Sequence, residues 1–305
     1  MKALVTGGAG FIGSHLTDAL VQRGDDVVVV DDLSRGRREQ VNAAARLVAL
    51  DIAEPELADV LLEVRPEVVF HQAAQIDVRQ SVADPPRDAR TNVVGTVNLL
   101  TACVGAGVRR VVFASTGGAI YGDTDVIPTP ETHPCAPESP YGTAKLCAEA
   151  YGGLFARTRG LDFVALRYGN VYGPRQDPHG EAGVIAIFAL ALLRGEAPLI
   201  NGDGTQTRDY VYVGDVVDAN LRSLDVHAPA VFNIGTGVET DVNDLFSRLR
   251  ELAGSSAEER HGPAKAGEQR RSCLDVRCAR EMVGWQPATD LDRGLRETVA
   301  FFRSA

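Results

Sequence analysis

Tyr141 and Lys145 lie four residues apart in the segment SPYGTAKLCAEAY, directly after a proline. On a helix this spacing places two side chains on one face and within reach of each other. A phenol beside an ammonium group can act in proton transfer, because the positive charge favours the phenolate. Without such help a tyrosine, with a pKa near ~10, is a poor base at neutral pH. The pattern also fits an ordinary solvated helix, so its position in the fold decides between the two interpretations.

A glycine-rich segment near the amino terminus is a candidate anion-binding loop. In VTGGAGFIG, Gly8, Gly10 and Gly13 match GxGxxG, and Gly7, Gly10 and Gly13 match GxxGxxG. Glycine lets the backbone approach a pyrophosphate, and the helix that follows presents its N–H groups to the anion. The segment follows a predicted strand and opens a predicted helix, which is the context that a dinucleotide-binding loop requires.

The acidic residue Asp31 supports this interpretation. It ends the second predicted strand, where a carboxylate can accept hydrogen bonds from ribose hydroxyls. Because a carboxylate repels a 2′-phosphate, we expect NAD rather than NADP as the cofactor. Arg35, Arg37 and Arg38 follow closely and could offset part of that repulsion.

The elements that position these residues alternate between strands and helices. Continuous apolar strands separated by helices predict a parallel sheet that is covered on both faces. The predicted fold class is therefore α/β: a doubly wound parallel sheet (Rossmann) with a smaller α/β substrate-binding lobe. The predicted strands are KALVTG, DVVVVD, ARLVALD, EVVFHQAA, RRVVFAST and LDFVALRYGNVYG. Ligands of such sheets bind at the carboxyl ends of the strands.

The alternation loosens after about Tyr172. We predict an NAD-binding domain over residues 1–172 with a returning segment at about 209–236, and a substrate-binding lobe from 173–208 and 237–305. The polar segment GSSAEERHGPAKAGEQ is predicted to be a mobile surface connection.

Composition narrows the function class. The net charge of −10 disfavours nucleic acid and anionic membranes as partners. No apolar run is long enough to span a bilayer, and the first residues predict a strand and not a signal peptide, so a cytoplasmic protein is expected. The 5 cysteines and 6 histidines show no metal-ligand spacing, and we predict no metal site.

Several further motifs occur in a fixed order along nearly the whole chain: TGGAGFIGSH, DDLSRG, HQAA, TNVVGTVNLL, STGGAIYGD, SPYGTAK, LRYGNVYGPRQ, GDGTQTRDYVYVGDV and NIGTG. Together they resemble the extended short-chain dehydrogenases/reductases, in particular the nucleotide-sugar 4-epimerase branch typified by enzymes acting on UDP-glucose, with UDP-glucuronate as the alternative substrate. The resemblance implies that Tyr141 is the catalytic base, that Lys145 binds the nicotinamide ribose and tunes Tyr141, and that a hydroxyl from Thr116, or alternatively Ser115, completes the site.

The resemblance also implies which residues bind the cofactor and the substrate. For NAD these are Gly7, Gly10, Phe11, Ile12, Gly13, Asp31, Asp51, Ile52, Ala73, Ala74, Asn92, Tyr141, Lys145 and Tyr168. For a UDP-sugar they are Thr116, Tyr141, Asn170, Val184, Ile185, Phe188, Gln206, Arg208, Lys265, Glu268 and Arg271. Lys265 stands where the family has an arginine, and Arg271 could compensate. Ser272 falls at the position that limits sugar size.

Two glycines argue against loss of water or CO₂ from the sugar. Related dehydratases read S-T-D-E where this chain has Ser115 and Thr116 followed by Gly117 and Gly118, and related decarboxylases carry a glutamate in this loop. We therefore expect 4-epimerisation of a UDP-hexose (UDP-glucose/UDP-galactose or UDP-glucuronate/UDP-galacturonate) through a transient 4-keto sugar.

Two other functions remain open from the sequence: another NAD(P)-dependent nucleotide-sugar reductase or 2-epimerase, and a catalytically silent NAD-binding sensor. The resemblance further implies a homodimer, formed through helices near residues 92–105 and 141–159.

Overall fold

The strands and helices of the chain are given by a computed structural model that describes residues 1–179, 183–264 and 269–304. The strands are β1 (Lys2–Thr6), β2 (Asp26–Asp31), β3 (Arg46–Ala49), β4 (Val68–His71), β5 (Arg110–Thr116), β6 (Asp162–Tyr168), β7 (Asn170–Tyr172), β8 (Leu199–Asn201), β9 (Thr207–Arg208), β10 (Tyr210–Tyr212), β11 (Ala230–Ile234), β12 (Thr240–Asp241) and β13 (Arg260–Gly262).

The α-helices are α1 (Phe11–Gln22), α2 (Leu57–Val64), α3 (Val78–Ala83), α4 (Pro85–Ala89), α5 (Gly95–Ala106), α6 (Gly117–Ile120), α7 (Pro140–Arg159), α8 (Val184–Leu193), α9 (Val213–Arg222), α10 (Val242–Ala253), α11 (Arg277–Val283) and α12 (Leu291–Ser304). A π-helical turn over Arg90–Val94 precedes α5.

The large sheet runs in the order β11-β6-β5-β4-β1-β2-β3, and its 7 strands in the described residues are all parallel. The chain starts in the middle with β1, moves outward to β3, and returns to β4 on the other side of β1. The carboxyl ends of β1 and β4 therefore flank the crevice where ligands bind in such sheets. The predicted doubly wound fold is confirmed.

Two apolar layers cover the sheet because its central strands are apolar on both faces. One layer includes Leu16 and Leu20 of α1 and Val216 of α9, and the other includes Leu61 of α2 and Leu99 of α5. Each of these side chains is fully buried. Helices on both faces thus hold the strand ends in fixed positions around the crevice.

A third apolar cluster is separate from the two layers of the sheet. It joins α8, α10 and α12 through residues such as Phe188, Phe246 and Leu295. This separation supports the predicted substrate-binding lobe, whose boundaries stay a prediction. Leu274 and Trp285 lie within the range assigned to the lobe but pack against the sheet.

The segment predicted as one strand after residue 161 is in fact two. The chain breaks at Gly169, where an added Cβ would lie 2.8 Å from the carbonyl oxygen of Asp209. After this break, β7 leaves the large sheet and pairs in parallel with β10. The break brings Asn170 opposite Tyr210, two residues after Arg208.

Two other expectations need correction. The helix predicted over TNVVGTVNLLTACVGAG begins with the π-helical turn that contains Asn92. The segment predicted as a mobile connection contains β13, whose backbone pairs with β8. Among the helices in the described parts of the chain, none combines the length and apolar character that a membrane crossing requires.

Candidate active site

The glycine loop brings three stretches of backbone into close contact. A Cβ added at Gly13 would lie 2.1 Å from the carbonyl oxygen of Gly7, and one added at Gly7 would lie 2.6 Å from the nitrogen of Ala73. Gly7 also has a positive φ of 70°, which glycine adopts at little cost. Only glycine fits this turn, which joins the ends of β1 and β4 to the start of α1.

The amino terminus of α1 is suited to an anion. Its cap residue is Gly10, no side chain caps its first N–H groups, and its first turn carries no acidic residue. These N–H groups are therefore available to the oxygens of a pyrophosphate. The close-packed loop and the open helix end fit the dinucleotide that the sequence predicts.

Asp31 closes the loop at the end of β2. Its Oδ2 accepts a hydrogen bond from the backbone N–H of Ala9 (3.0 Å), and its Oδ1 accepts one from that of Leu33 (2.9 Å). Burial raises the pKa of Asp31, while these two N–H donors oppose that effect. The carboxylate is thus held rigidly beside the loop, where it can meet a ribose and exclude a 2′-phosphate.

One large cavity of about 770 Å³ connects this loop to the catalytic candidates. The predicted cofactor residues that line it are Gly7, Gly10, Phe11, Ile12, Gly13, Asp31, Asp51, Ile52, Ala73, Ala74, Tyr141, Lys145 and Tyr168. Asn92 does not line it. Its side chain is buried and forms hydrogen bonds with the backbone of Gln75 and with the carboxylate of Asp88. Because Gln75 lines the cavity, Asn92 helps to hold the cavity wall in place.

Helix α7 presents the tyrosine and the lysine to this cavity. Pro140 opens the helix, and the Ser139 hydroxyl caps it by accepting the N–H of Gly142 (3.1 Å). One turn later, the Lys145 Nζ donates to the carbonyl oxygen of Ala114 at the end of β5 (2.8 Å) and lies 5.9 Å from the centre of the Tyr141 ring. The predicted pair therefore sits at the crevice and not on a solvated helix face.

In the chain without a bound dinucleotide, the pKa of Tyr141 is raised and not lowered. Burial and the charge of Asp88 raise the pKa of Tyr141 to about 12, and a hydrogen bond with the Thr116 side chain opposes them. Burial also lowers the pKa of Lys145 to about 8, against the charges of Asp88 and Glu149. Both groups are withdrawn from water, which disfavours each charged form, so a lowered pKa for Tyr141 with the dinucleotide bound stays a prediction.

The two candidate hydroxyls of β5 have different partners. The side chain of Thr116 hydrogen-bonds that of Tyr141. The Ser115 hydroxyl instead donates to Oε1 of Glu149 (2.5 Å), inside the protein. Ser115 lines the cavity and Thr116 is not among its lining residues, whereas only Thr116 contacts the phenol, so the choice between the two hydroxyls stays a prediction.

The two glycines after Thr116 differ in the room around them. A Cβ at Gly117 would lie 2.5 Å from a methyl carbon of Leu274, whereas a Cβ at Gly118 would come no closer than 3.7 Å to Oδ1 of Asn170. An acid at the first position is thus excluded by packing. At the second position there is space, but this chain has no side chain there.

Two of the predicted diphosphate ligands lie near the β7–β10 pair in the chain. Asn170 begins β7, and Arg208 ends β9, next to β10. Arg208 donates through Nη1 to the carbonyl oxygen of Thr207 (2.7 Å). Gln206 donates to the carbonyl oxygen of Asn201, and Arg271 is exposed and pairs with Glu239. Among the described residues that line the 770 Å³ cavity, none of these four predicted ligands occurs: Asn170, Gln206, Arg208 and Arg271. Lys265 and Glu268 lie outside the described residues.

The apolar candidates for the uracil contact are buried or half-buried in the lobe. Ile185 and Phe188 are 1% and 4% exposed and pack with Ala189 and Leu192 in the core of the lobe. Val184 is half-buried beside them. Because α8 is apolar on every side, its pattern does not show which face points inward, and the uracil contact of these residues stays a prediction.

Some polar partners of the site were not predicted. The Tyr168 hydroxyl accepts hydrogen bonds from Gln72 (3.3 Å) and Asn220 (2.8 Å). Glu149, one turn after Lys145, pairs with Arg167 of β6. The spacing of Glu149 from Lys145 was a usable signal, but nothing local in the sequence shows that Arg167 or Asn220 would lie nearby.

Comparisons with known proteins agree with this geometry. Residues 3–235 match the model of the NAD dependent epimerase/dehydratase family. The chain is 49% identical to a UDP-glucose 4-epimerase of Mycolicibacterium smegmatis, over 100% of this chain and 99% of that protein.

Two solved structures are also similar. One is a UDP-glucose 4-epimerase of Thermotoga maritima with UDP-glucose, 50% identical over 100% of this chain and 99% of that one, with a TM-score of 0.98. The other is a UDP-glucose 4-epimerase of Thermus thermophilus in complex with NAD, 43% identical over 100% of both chains, with a TM-score of 0.96. The chain therefore belongs to the NAD dependent epimerase/dehydratase family.

Proposed function

We propose that this chain is an NAD-dependent UDP-hexose 4-epimerase, an isomerase that interconverts UDP-glucose and UDP-galactose. One observation carries the proposal: Tyr141 and Lys145 of α7 face the same cavity as the glycine loop and Asp31. The relatives named above, at 43–50% identity, are called UDP-glucose 4-epimerases, which supports the choice of sugar.

The side chains of the site divide the proton chemistry between them. When bound, NAD would supply the group that takes hydride from carbon 4 of the hexose and, after the 4-keto sugar has rotated, returns it to the other face of that carbon. Tyr141 removes the proton of the 4-hydroxyl and later gives it back. Thr116 stabilises the phenolate through its hydrogen bond with Tyr141, since that bond lowers the pKa of the phenol.

Lys145 holds a positive charge at the bottom of the site. Its bond to the Ala114 carbonyl oxygen fixes the ammonium group at the end of β5. With a pKa of about 8, the group is mostly protonated at pH 7. Because Tyr141 alone has a pKa of about 12, the phenolate depends on charge brought into the site by the bound dinucleotide.

The substrate is held by its diphosphate at the β7–β10 pair. Arg208 supplies a guanidinium whose planar fork matches phosphate oxygens, and Asn170 supplies an amide. Lys265, Glu268, Gln206 and Arg271 are proposed to close over the nucleotide. Ser272, small and buried, leaves room for a hexose that carries an N-acetyl group.

Loss of water is disfavoured by the loop after β5. Elimination from the sugar needs an acid and a base beside the ring. Leu274 occupies the space next to Gly117, and Gly118 carries no side chain. Oxidation and reduction at carbon 4 therefore proceed without elimination.

A homodimer is proposed to form through α5 and α7. Val94, just before α5, and Tyr151 and Leu154 of α7 are large apolar side chains that are 54%, 41% and 41% exposed. A second copy of the chain would cover them. Sedimentation of the wild type against a Tyr151→Glu/Leu154→Glu variant tests this: dimer to monomer is expected, and a monomeric wild type refutes it.

The function is tested with a panel of UDP-sugars. The purified protein should convert UDP-galactose to UDP-glucose with no net production of NADH, and should release NAD on denaturation. UDP-glucuronate and UDP-N-acetylglucosamine in the same panel establish the sugar range. Accumulation of a 4-keto-6-deoxy sugar, release of CO₂, or NAD binding without turnover of any UDP-sugar would refute the proposal.

A further inference from the structure

A buried chain of polar side chains runs from the end of β5 into the carboxyl-terminal part of the protein. The Glu149 carboxylate accepts from the Ser115 hydroxyl (2.5 Å) and from Arg167 through Nε (3.0 Å) and Nη2 (2.6 Å). Nη1 of Arg167 donates to the Tyr121 hydroxyl (2.9 Å), which in turn donates to Oδ1 of Asn233 in β11 (2.7 Å). The chain thus links α7 to three strands of the large sheet or their ends.

The ion pair in this chain is withdrawn from water. The side chains of Glu149 and Arg167 are each 7% exposed. Burying two charges is costly, and apolar side chains of similar volume often stabilise a protein as well or better. What a two-bond carboxylate–guanidinium contact adds is a defined distance and orientation between the elements that carry it.

Three members of the network lie close in sequence to residues of the candidate site. Glu149 follows Lys145 by four residues and Tyr141 by eight, so all three lie on one face of α7. Ser115 directly precedes Thr116 in β5, and Arg167 directly precedes Tyr168 in β6. The network therefore ties together the three elements that carry the proposed chemistry.

We infer that Glu149 and Arg167 are positioning residues for the proposed epimerisation, and that their ion pair fixes α7 against the carboxyl ends of β5 and β6. The pair itself touches neither substrate nor cofactor. It sets the distance from Tyr141 and Lys145 on the helix to Thr116 on the strand. The Ser115 hydroxyl joins this network through its bond to Glu149. This inference rests on the proposed function.

The test replaces both charges together. A Glu149→Met/Arg167→Met variant fills the same volume with apolar atoms. We expect its Tm, its bound NAD and its KM for UDP-galactose to stay close to those of the wild type. Its kcat should fall at least about tenfold, because a small displacement of reacting groups is costly in rate. A double variant that keeps both Tm and kcat would show that the pair does not position the reacting groups and would overturn the inference.

A matched control uses the same two strands. Arg110 and Asp162 form another ion pair between β5 and β6, at the amino ends and away from the cavity. Asp162→Asn weakens that pair, and kcat should not change. A fall in kcat as large as that of the double variant would mean that any disturbance of these strands matters, which also contradicts the inference.

A second variant covers the case in which the double variant does not fold. Glu149→Asp keeps the charge but shortens the side chain by one methylene group, so α7 must move or the pair must lengthen. Lower kcat with unchanged NAD content is expected, and unchanged kcat would overturn the inference. Wild-type protein is assayed in parallel: its inactivity would refute the proposed function, whereas active wild type with active variants refutes only the positioning role.

Discussion

The glycine loop after β1 and the first turns of α7 line the same cavity, but different forces shape them. In the loop, backbone meets backbone: Gly13 lies against the carbonyl oxygen of Gly7, and no charged side chain is needed for the turn itself. In α7, the half-buried Tyr141 and the buried Lys145 depend on charges that other elements bring nearby. The comparison teaches that a site made of backbone can be predicted from local sequence, whereas a buried electrostatic site cannot be predicted without its distant partners.

The largest effect is expected for a substitution in the glycine loop. Gly13→Ala would place a Cβ 2.1 Å from the Gly7 carbonyl oxygen. The loop must then open, and bound NAD and epimerase activity should both be lost. NAD content after denaturation and turnover of UDP-galactose measure this. Gly105→Ala is the control, since its Cβ meets nothing within 4 Å and alanine favours a helix by about 1 kcal/mol. Full NAD content in Gly13→Ala would contradict the fit of the loop to a dinucleotide.

The next prediction separates the two neighbouring hydroxyls. Thr116→Val keeps the shape of the side chain but removes its hydrogen bond with Tyr141, and kcat should fall by about 10²-fold, the lower end for loss of proton-transfer assistance. Ser115→Ala removes only a bond to Glu149 and should cost much less. Steady-state rates of the two variants with UDP-galactose decide the matter. The opposite order of effects would assign the catalytic hydroxyl to Ser115.

The burial of the Lys145 charge can be tested through the pH dependence of the free energy of unfolding. The pKa of Lys145 in the folded chain is about 8, below its ordinary value of 10.5. The unfolded chain therefore holds the proton more tightly, and Lys145 destabilises the fold below pH 8 by about 3 kcal/mol. That penalty fades as the pH rises from about 8 towards 10.5.

Lys145→Met removes the penalty at every pH. The variant without NAD should be more stable than wild type at pH 7, and its advantage should shrink as the pH rises through this window. Urea unfolding at a series of pH values measures the difference. A difference that stays constant with pH would show that Lys145 is not desolvated in this way.

The smallest effect concerns the two glycines after Thr116. Gly117→Ala forces a methyl group against Leu274 and should destabilise the fold by about 1–3 kcal/mol. Gly118→Ala meets only Oδ1 of Asn170 at 3.7 Å and should be tolerated. Thermal unfolding of both variants tests the contrast, and equal losses of stability would refute the packing argument.

The parts of the structure that could be predicted depend on local sequence, and those that could not be predicted depend on distant partners. The succession of strands and helices along the chain and the glycine loop follow from local rules: apolar runs, glycine spacing and an acid at the end of β2. The pairing of Glu149 with Arg167 joins residues 18 positions apart in different elements, and Arg167 to Tyr121 spans 46. Such partners depend on how the helices pack on the sheet, and no local pattern encodes that.

Other features that the sequence does not show also depend on distant residues. Ile185 and Phe188 lie on a helix that is apolar all round. Their packing against α10 and α12 therefore cannot be predicted from the sequence of α8 alone. The break at Gly169 depends on Asp209, 40 positions later in the chain. The raised pKa of Tyr141 reflects its burial and the charge of Asp88, which no spacing of the YxxxK motif reveals.

The central claim is that Tyr141 moves the proton of the sugar hydroxyl. The most direct test is Tyr141→Phe, which keeps the ring and removes only the phenol oxygen. Turnover of UDP-galactose should fall by about 10²–10⁴-fold while the content of bound NAD stays at the wild-type level. Undiminished turnover in a variant that still binds NAD would contradict the claim.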